Sequence, residues 1–122
     1  MGPFCDPRFT SGVELFNRRE WDSAHDGFEE LWHDTAEPER RWLQGAVQVA
    51  VAMVHLERNN RNGAAILLGE GTGRLSRAEA SPPGWQPIPL LDPCRQLQQQ
   101  LQLNQPLASD HPLPRLVFDL SE

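Results

Sequence analysis

A stretch near the middle of the chain limits the fold more than any other, because its apolar residues face in almost every direction. The spacing predicts a helix from about Pro38 to Asn59, in which the following residues cover most of the circumference: Trp42, Leu43, Ala46, Val47, Val49, Ala50, Met53, Val54 and Leu56. A helix that is apolar nearly all round needs neighbours on most of its sides. We therefore expect this helix at the centre of a helical domain.

Three amphipathic stretches predict the helices that surround it. The first runs from Thr10 to Arg19, with Thr10 or Ser11 as its N-cap. The second runs from about Trp21 to Asp34, and the fourth from Gly63 to about Ala80. This part of the chain shows no alternating strand pattern. We predict an all-α bundle of four core helices, in which the short connections make helices one and two, and helices three and four, antiparallel pairs.

The composition changes at Ser81, where a proline-rich stretch begins. Residues 81–89 contain four prolines, which predicts that no regular helix forms there. A short Gln-rich helix is predicted from Cys94 to Leu103, followed by an irregular Pro-rich segment. We therefore divide a single domain into a four-helix core, residues 1–80, and an extension, residues 81–122, which packs on the core or on a partner.

Composition also excludes several classes of function. The formal net charge of −6 argues against nucleic acid and against an anionic membrane surface as partners. All 11 basic residues are arginine and tyrosine is absent, which excludes lysine Schiff bases, a P-loop lysine and phenolic acid–base chemistry. Cys5 and Cys94 are too few for a disulfide framework, and the chain begins without a signal-peptide pattern, so we expect a cytoplasmic protein. The run Gly69–Gly73 lacks the strand and lysine of a phosphate loop and predicts a kink, a break or close helix packing.

His25 and Glu29 form the first candidate site, because they lie one turn apart on the second helix. An imidazole and a carboxylate at this spacing can share a divalent metal ion, or act as a base with its orienting partner. The same spacing is also common in ordinary pairs on a helix surface. Glu14 and Asn17, at i, i+3 on the first helix, either reach the same site or serve as surface and capping residues.

Three polar residues form the second candidate site, on the otherwise apolar third helix. Gln44, Gln48 and His55 fall within a narrow arc at 100° per residue. Either this arc faces water, or it lines a pocket whose polar groups have partners. If it faces the second helix, Gln48 and His55 share one pocket with His25 and Glu29. Two histidines and one glutamate suit a metal ion with an open coordination position.

Several motifs within residues 9–78 occur in an order and spacing typical of one family. They are Gly12-Val13-Glu14-Leu15-Phe16-Asn17, Trp21, His25-x-x-x-Glu29-x-x-Trp32, Arg41-Trp42-Leu43-Gln44-Gly45-Ala46-Val47-Gln48, His55 and Asn60-x-x-Gly63-Ala64. The chain resembles the prokaryotic family called domain of unknown function 309, with one departure at Asn59, where the family usually has Gly. The resemblance implies a small all-α domain and a suspected metal-binding motif. It also implies a predicted metal-dependent hydrolase without an established reaction.

The first functional hypothesis is therefore a metal-dependent hydrolase or metal-binding protein. His25, Glu29 and His55 would bind a divalent zinc, manganese, nickel or iron ion, or His55 would act as general base. Gln48 would hold the substrate or a metal-bound water. The other residues of these motifs would line or support the pocket: Glu14, Asn17, Trp32, Gln44 and Asn60.

Two further hypotheses need no metal. In one, the domain is a non-catalytic interaction or scaffold module, and His25, Glu29, Gln48 and His55 form a buried hydrogen-bond network. In the other, the same residues line a pocket for an unidentified small molecule. A ligand site needs an opening and room, whereas a structural network is closed. The four tryptophans, including Trp85 in the proline-rich stretch, offer anchors for a homodimer or another protein partner.

Overall fold

Each of the first four helices packs against the next one in sequence. The computed structural model describes residues 2–119. The helices are α1 (Pro7–Asn17), α2 (Trp21–His33), α3 (Glu39–Glu57) and α4 (Arg61–Arg77), preceded by a single 3-10 turn at Pro3–Cys5. The helix α3 contacts both α2 and α4, and nine of its 19 residues are buried. The prediction of an all-α bundle built around the third helix is confirmed. Within residues 2–119, no helix combines the length and apolar character needed to span a bilayer.

The first helix begins three residues earlier than the sequence predicted. It starts at Pro7, whose fixed φ suits a first helical turn. The preceding Asp6 is the N-cap, and its carboxylate accepts a hydrogen bond from the Arg8 backbone N–H at 2.8 Å. The prediction that Thr10 or Ser11 caps this helix was therefore wrong, since both lie inside it. Hydrogen bonds from Arg8 also hold the pKa of the Asp6 carboxyl below its ordinary value of 3.8.

The turn between α3 and α4 contains a left-handed residue. Asn59 has a φ of 61°, a region that asparagine tolerates better than most residues. The next residue, Asn60, caps α4 by accepting a hydrogen bond from the Gly63 N–H at 3.1 Å. The left-handed backbone gives a physical reason for the glycine that the resemblance places at position 59, and asparagine meets the same need.

The glycine run in α4 marks close packing against α3. The helix continues through Gly69–Gly73, so the break predicted as one alternative does not form. A Cβ atom on Gly71 would lie 2.9 Å from Val49 Cγ2 and 3.1 Å from the Gly45 carbonyl oxygen. A Cβ atom on Gly45 would lie 2.7 Å from Leu75 Cγ. The two backbones therefore approach each other at a pair of positions where only glycine fits without adjustment.

A fifth helix, α5 (Ile88–Gln102), begins well before the predicted start at Cys94. Pro89 lies in its first turn, where the missing N–H is not needed, so the predicted exclusion of helix from residues 81–89 was wrong at its last two positions. Inside the helix, Pro93 has no N–H to donate to the Pro89 carbonyl. That carbonyl instead accepts a hydrogen bond from the Arg115 N–H at 3.1 Å. A distant part of the chain thus satisfies the group that the proline leaves free.

The remaining C-terminal chain is fixed to the core at separate points. Strands β1 (Trp85–Gln86) and β2 (Val117–Phe118) pair antiparallel, with Trp85 opposite Phe118. The Trp85 ring packs edge-on against Trp42 with centroids 5.3 Å apart. The Asn17 side chain donates to the Leu116 carbonyl at 2.9 Å and accepts from the Leu116 N–H at 2.8 Å. With α5 packed on α4, this segment lies on the helical core.

Candidate functional site

Residues from both candidate motifs surround one cavity between α2 and α3. It has a volume of about 170 Å³, and its walls are Glu29, Trp32, Gln44, Val47 and Gln48. The first two residues come from α2 and the other three from α3. All five are only partly buried, so the cavity opens to solvent. The structure therefore brings the carboxylate of the first motif together with both glutamines of the second.

The Glu29 carboxylate is held by the histidine one turn before it. His25 Nε2 lies 2.6 Å from Glu29 Oε2, with the imidazole N–H donating to the carboxylate. Its other ring nitrogen, Nδ1, lies 3.4 Å from Asp26 Oδ1. The Glu29 side chain remains 43% exposed, against 27% for His25. Within residues 2–119, the structure records no partner for the second Glu29 oxygen. That oxygen is therefore available to a molecule in the cavity.

Trp32 supplies a flat and well-supported wall. The Arg40 guanidinium carbon lies 3.9 Å from the centroid of the Trp32 ring, within the range of a cation–π interaction. The indole Nε1 is buried and has no hydrogen-bond acceptor among residues 2–119. A covered ring face restrains the indole, so the wall opposite the glutamines is preorganised.

Gln48 connects the cavity wall to α4. Its Nε2 donates to Glu70 Oε2 at 3.1 Å, and its Oε1 accepts from an Arg74 guanidinium nitrogen at 2.9 Å. These two bonds fix the orientation of the amide, because exchanging its oxygen and nitrogen would set donor against donor. Gln44, one turn earlier, lines the cavity and also a second, larger groove of about 470 Å³. The other residues of that groove are Glu37, Arg41, Glu70, Arg74 and Arg77.

His55 lies apart from the cavity. Its Nδ1 is 2.9 Å from Asn60 Nδ2, and neither residue lines the cavity walls. Within residues 2–119, no three His, Cys, Asp or Glu side chains are grouped so that they could hold a metal ion. The structure thus joins His25 and Glu29 and does not add His55 to them. The described residues provide two protein ligands where a catalytic zinc site generally has three.

The two candidate residues of α1 have separate surroundings. Glu14 is exposed and lines none of the cavities between α2, α3 and α4. Asn17 uses its amide for the two hydrogen bonds to Leu116. Of the two alternatives that the spacing left open, Glu14 has the surface position. Asn17 follows neither alternative, since its side chain binds the backbone of the C-terminal segment.

Sequence reasoning missed the contribution of α4. Glu70, Arg74 and Arg77 follow each other at i, i+4 and i+7, and Arg41, Gln44 and Gln48 at i, i+3 and i+7 on α3. Each set forms one polar stripe along its helix. Two such polar stripes on consecutive helices are the signal in the sequence that predicts this groove.

Comparison with known proteins identifies the family of this core. Residues 9–67 match the family described as Domain of unknown function (DUF309). Residues 9–67 are a DUF309 domain. The resemblance predicted from the sequence motifs is confirmed. The chain has no significant match among curated proteins or solved structures.

The DUF309 domain contains every wall of the smaller cavity. Glu29, Trp32 and the two glutamines all lie between residues 9 and 67, as does His25. The three groove residues of α4, beginning at Glu70, follow the matched region. The cavity therefore belongs to the DUF309 domain, whereas the groove is completed by residues outside the match.

Proposed function

We propose that this protein binds a small polar molecule in the cavity between α2 and α3, with Glu29 as the group that accepts a hydrogen bond or a proton from it. The observation that carries the proposal is the position of Glu29: one carboxylate oxygen is bound to His25, and the residue forms part of the cavity wall. A carboxylate held in one orientation is prepared to receive a donor without paying to order its own side chain.

The remaining walls support the same conclusion. Gln44 and Gln48 present amides to the cavity, and Trp32 presents a restrained aromatic surface. A few polar groups on a partly apolar wall are typical of a small-molecule site. At about 170 Å³ the cavity alone holds a small group, but it adjoins the larger groove at Gln44. Together they have the size of a site for a metabolite.

The openness of the cavity favours ligand binding over the scaffold hypothesis. A structural network would enclose its polar groups, yet Glu29 and Glu70 keep substantial contact with solvent. The Gln48→Leu variant separates the two hypotheses in a denaturant melt. A structural role predicts a loss of about 1–3 kcal/mol, because the partners of Gln48 lose their bonds. Our proposal predicts a change below about 0.5 kcal/mol, because Glu70 is exposed and Arg74 partly exposed, so that water can replace their bonds to Gln48. It also predicts loss of binding.

The proposal is tested with a set of primary amides, amines and polyols at millimolar concentration. Binding is followed through the indole N–H resonance of Trp32 in ¹H–¹⁵N spectra, assigned by its disappearance in Trp32→Phe. We expect at least one probe class to shift this resonance in the wild type, and Glu29→Gln to weaken its binding about tenfold, the scale of one charge-assisted hydrogen bond.

Glu57→Gln is the matched control, because Glu57 is exposed at the end of α3 and lines no part of the cavity. Its probe affinity should equal that of the wild type. Wild-type protein whose Trp32 resonance responds to none of the probes would contradict the proposal. Equal binding by the wild type and Glu29→Gln would contradict the role given to Glu29.

A metal-dependent hydrolase remains a second candidate function, favoured by the contact between His25 and Glu29. An imidazole nitrogen and a carboxylate oxygen 2.6 Å apart are two common ligand types, and one of them, Glu29, lines the cavity. They do not by themselves fit a catalytic site with three protein ligands, and within residues 2–119 no third such ligand joins them. The reaction therefore stays a prediction of the family resemblance, and we derive no step through a metal.

Metal content tests this second candidate directly. Untagged protein is purified without chelator, and its zinc, manganese, nickel and iron are measured beside those of His25→Ala and His33→Ala. His33 is the control, because it is exposed on the same helix. Near-stoichiometric metal that is lost only in His25→Ala would establish the site. Metal-free protein that gains no thermal stability from these four ions would exclude it.

A further inference from the structure

We propose that the groove between α3 and α4 is an oxyanion subsite, which binds a phosphate or carboxylate group of a small molecule. The location rests on the function proposed above, since the groove and the Glu29 cavity meet at Gln44 and would hold two ends of one ligand. The observation that carries the inference is the gathering of three guanidinium groups, from Arg41, Arg74 and Arg77, along one groove.

The charge of Arg74 is left without a carboxylate partner. Its guanidinium donates to the neutral Oε1 of Gln48 at 2.9 Å, and among residues 2–119 it forms no ion pair within 4.0 Å. Glu70, one turn earlier, is instead bonded to the amide nitrogen of Gln48. Gln48 therefore holds Arg74 in place without neutralising it. An arginine that is anchored and only partly exposed can offer its remaining N–H donors to an anion at a low entropic cost.

Arg77 lies along the surface of its own helix. A Cβ atom on Gly73 would be 3.1 Å from one Arg77 terminal nitrogen and 3.2 Å from the other. The guanidinium therefore rests where a side chain at position 73 would otherwise stand. No carboxylate within residues 2–119 forms an ion pair with it. Because Gly73 has no side chain, it leaves room for the guanidinium of Arg77, which is the second cation of the groove without a carboxylate partner.

Arg41 faces these two groups from α3 and has only a weak partner. Its guanidinium is 4.0 Å from Glu37 Oε1, and both side chains are 60% exposed. An exposed pair at this distance contributes little and yields to a better acceptor. The groove carries three positive and two negative side chains, counting Glu37 and Glu70, on a protein whose formal net charge is −6. Positive side chains therefore outnumber negative ones in this groove although the protein as a whole is acidic. This charge distribution favours the binding of anions in the groove.

The test uses pyrophosphate and malonate as two separate probes at constant ionic strength, with sodium chloride as the reference salt. Binding is measured by calorimetry and by shifts of backbone resonances in α3 and α4. We expect pyrophosphate, malonate or both to bind the wild type, and Arg77→Gln and Arg74→Gln each to weaken that binding about tenfold. Preference for pyrophosphate assigns a phosphoryl group to the subsite, and preference for malonate assigns a carboxylate.

Arg95→Gln is the matched control, because Arg95 is exposed on α5 and lines no part of the groove. It should bind both probes like the wild type. Failure of both anions to bind above the chloride reference overturns the inference, as does equal weakening by Arg95→Gln. Glu29→Gln should leave anion binding unchanged, while Arg77→Gln should leave the response of Trp32 to the amide and polyol probes unchanged. The proposal for the oxyanion subsite and the proposal for the Glu29 cavity can therefore be refuted independently of each other.

Discussion

The four helices of residues 7–77 bury apolar side chains along whole helix faces, whereas residues 78–119 are attached largely at separate points. In the first region, α3 alone contributes nine buried residues, and both α2 and α4 pack against it. In the second, α5 packs on α4, and the rest is held by individual contacts, among them two ring contacts, Trp85–Trp42 and Phe118–Phe9, and the hydrogen bonds of Leu116 and Arg115. In the helical region, the stabilisation is therefore distributed over many buried residues. In residues 78–119 outside α5, it is concentrated in a few contacts. The following variants test this difference.

The largest effect is expected at Trp42, where the two regions meet. This residue is fully buried, and the rings of Phe4, Phe9 and Trp85 pack around it. Trp42→Ala should lower the free energy of unfolding by about 3–5 kcal/mol, measured by urea denaturation. Leu103→Ala, at a side chain 59% exposed, serves as control and should change it by less than about 0.5 kcal/mol. A loss below about 1 kcal/mol at Trp42 would mean that the two regions are not joined through this ring.

A smaller loss is expected where α3 and α4 touch. Gly71→Ala places a methyl group 2.9 Å from Val49 Cγ2, so its packing strain outweighs its gain in helix propensity. We expect a net loss of about 1–2 kcal/mol in thermal or urea unfolding. The same change at Gly27, where a Cβ atom meets nothing within 4 Å, should instead stabilise α2 by up to about 1 kcal/mol. Changes of the same sign at both positions would refute the close-approach argument.

Removal of the Asn17 amide should affect the C-terminal region more than the helices. Asn17→Ala breaks both bonds to Leu116, at a cost of about 1 kcal/mol because the site is partly exposed to water. Hydrogen exchange should show faster exchange of the Leu116 amide while amides inside α3 keep their protection. Asn62→Ala, at an exposed position of α4, is the control. Equally faster hydrogen exchange throughout the molecule would show that residues 78–119 unfold only together with the helices.

The two thiols should distinguish the regions without any mutation. Cys94 is buried in α5, and burial raises its pKa from an ordinary 9.0 to about 12, whereas Cys5 is exposed. Near pH 8, a thiol reagent should label Cys5 in the native protein and Cys94 only after denaturation. Because the unfolded thiol loses its proton first, stability should fall as pH rises from about 9 towards 12. Rapid native labelling of Cys94 would indicate that α5 opens readily.

Periodicity predicted the helical region well because its stabilising contacts repeat along each helix. It predicted the second half of α5 but missed its start at Ile88, because the prolines at positions 89 and 93 do not indicate a helix locally. The deciding contact comes from Arg115, whose N–H uses the carbonyl that the proline leaves free. Arg115 lies too far along the chain from Pro93 for a local sequence pattern to include it. The early start of α1 at Pro7, by contrast, was readable from Asp6 and Pro7 once both were taken as a cap and a first turn.

The candidate site was predictable in part for the same reason. Glu29, Gln44 and Gln48 were found because each lies on the inner arc of its helix, and the two arcs face each other. His55 shares the arc but not the site. It lies seven residues after Gln48, about 10 Å along the helix axis, and meets Asn60 instead. An angular pattern assigns a face and leaves the position along that face undetermined.

The bond between Asn17 and Leu116 joins residues 99 positions apart, which has a consequence for synthesis. A ribosome adding about 5–20 residues per second makes Leu116 roughly 5–20 s after Asn17. Residues 7–77 are all made before Trp85 and Phe118, so for part of that interval α1 and α3 are present without the two rings that cover Trp42 and Phe9. The nascent helices therefore leave this aromatic surface uncovered until β2 has been made and has packed against them.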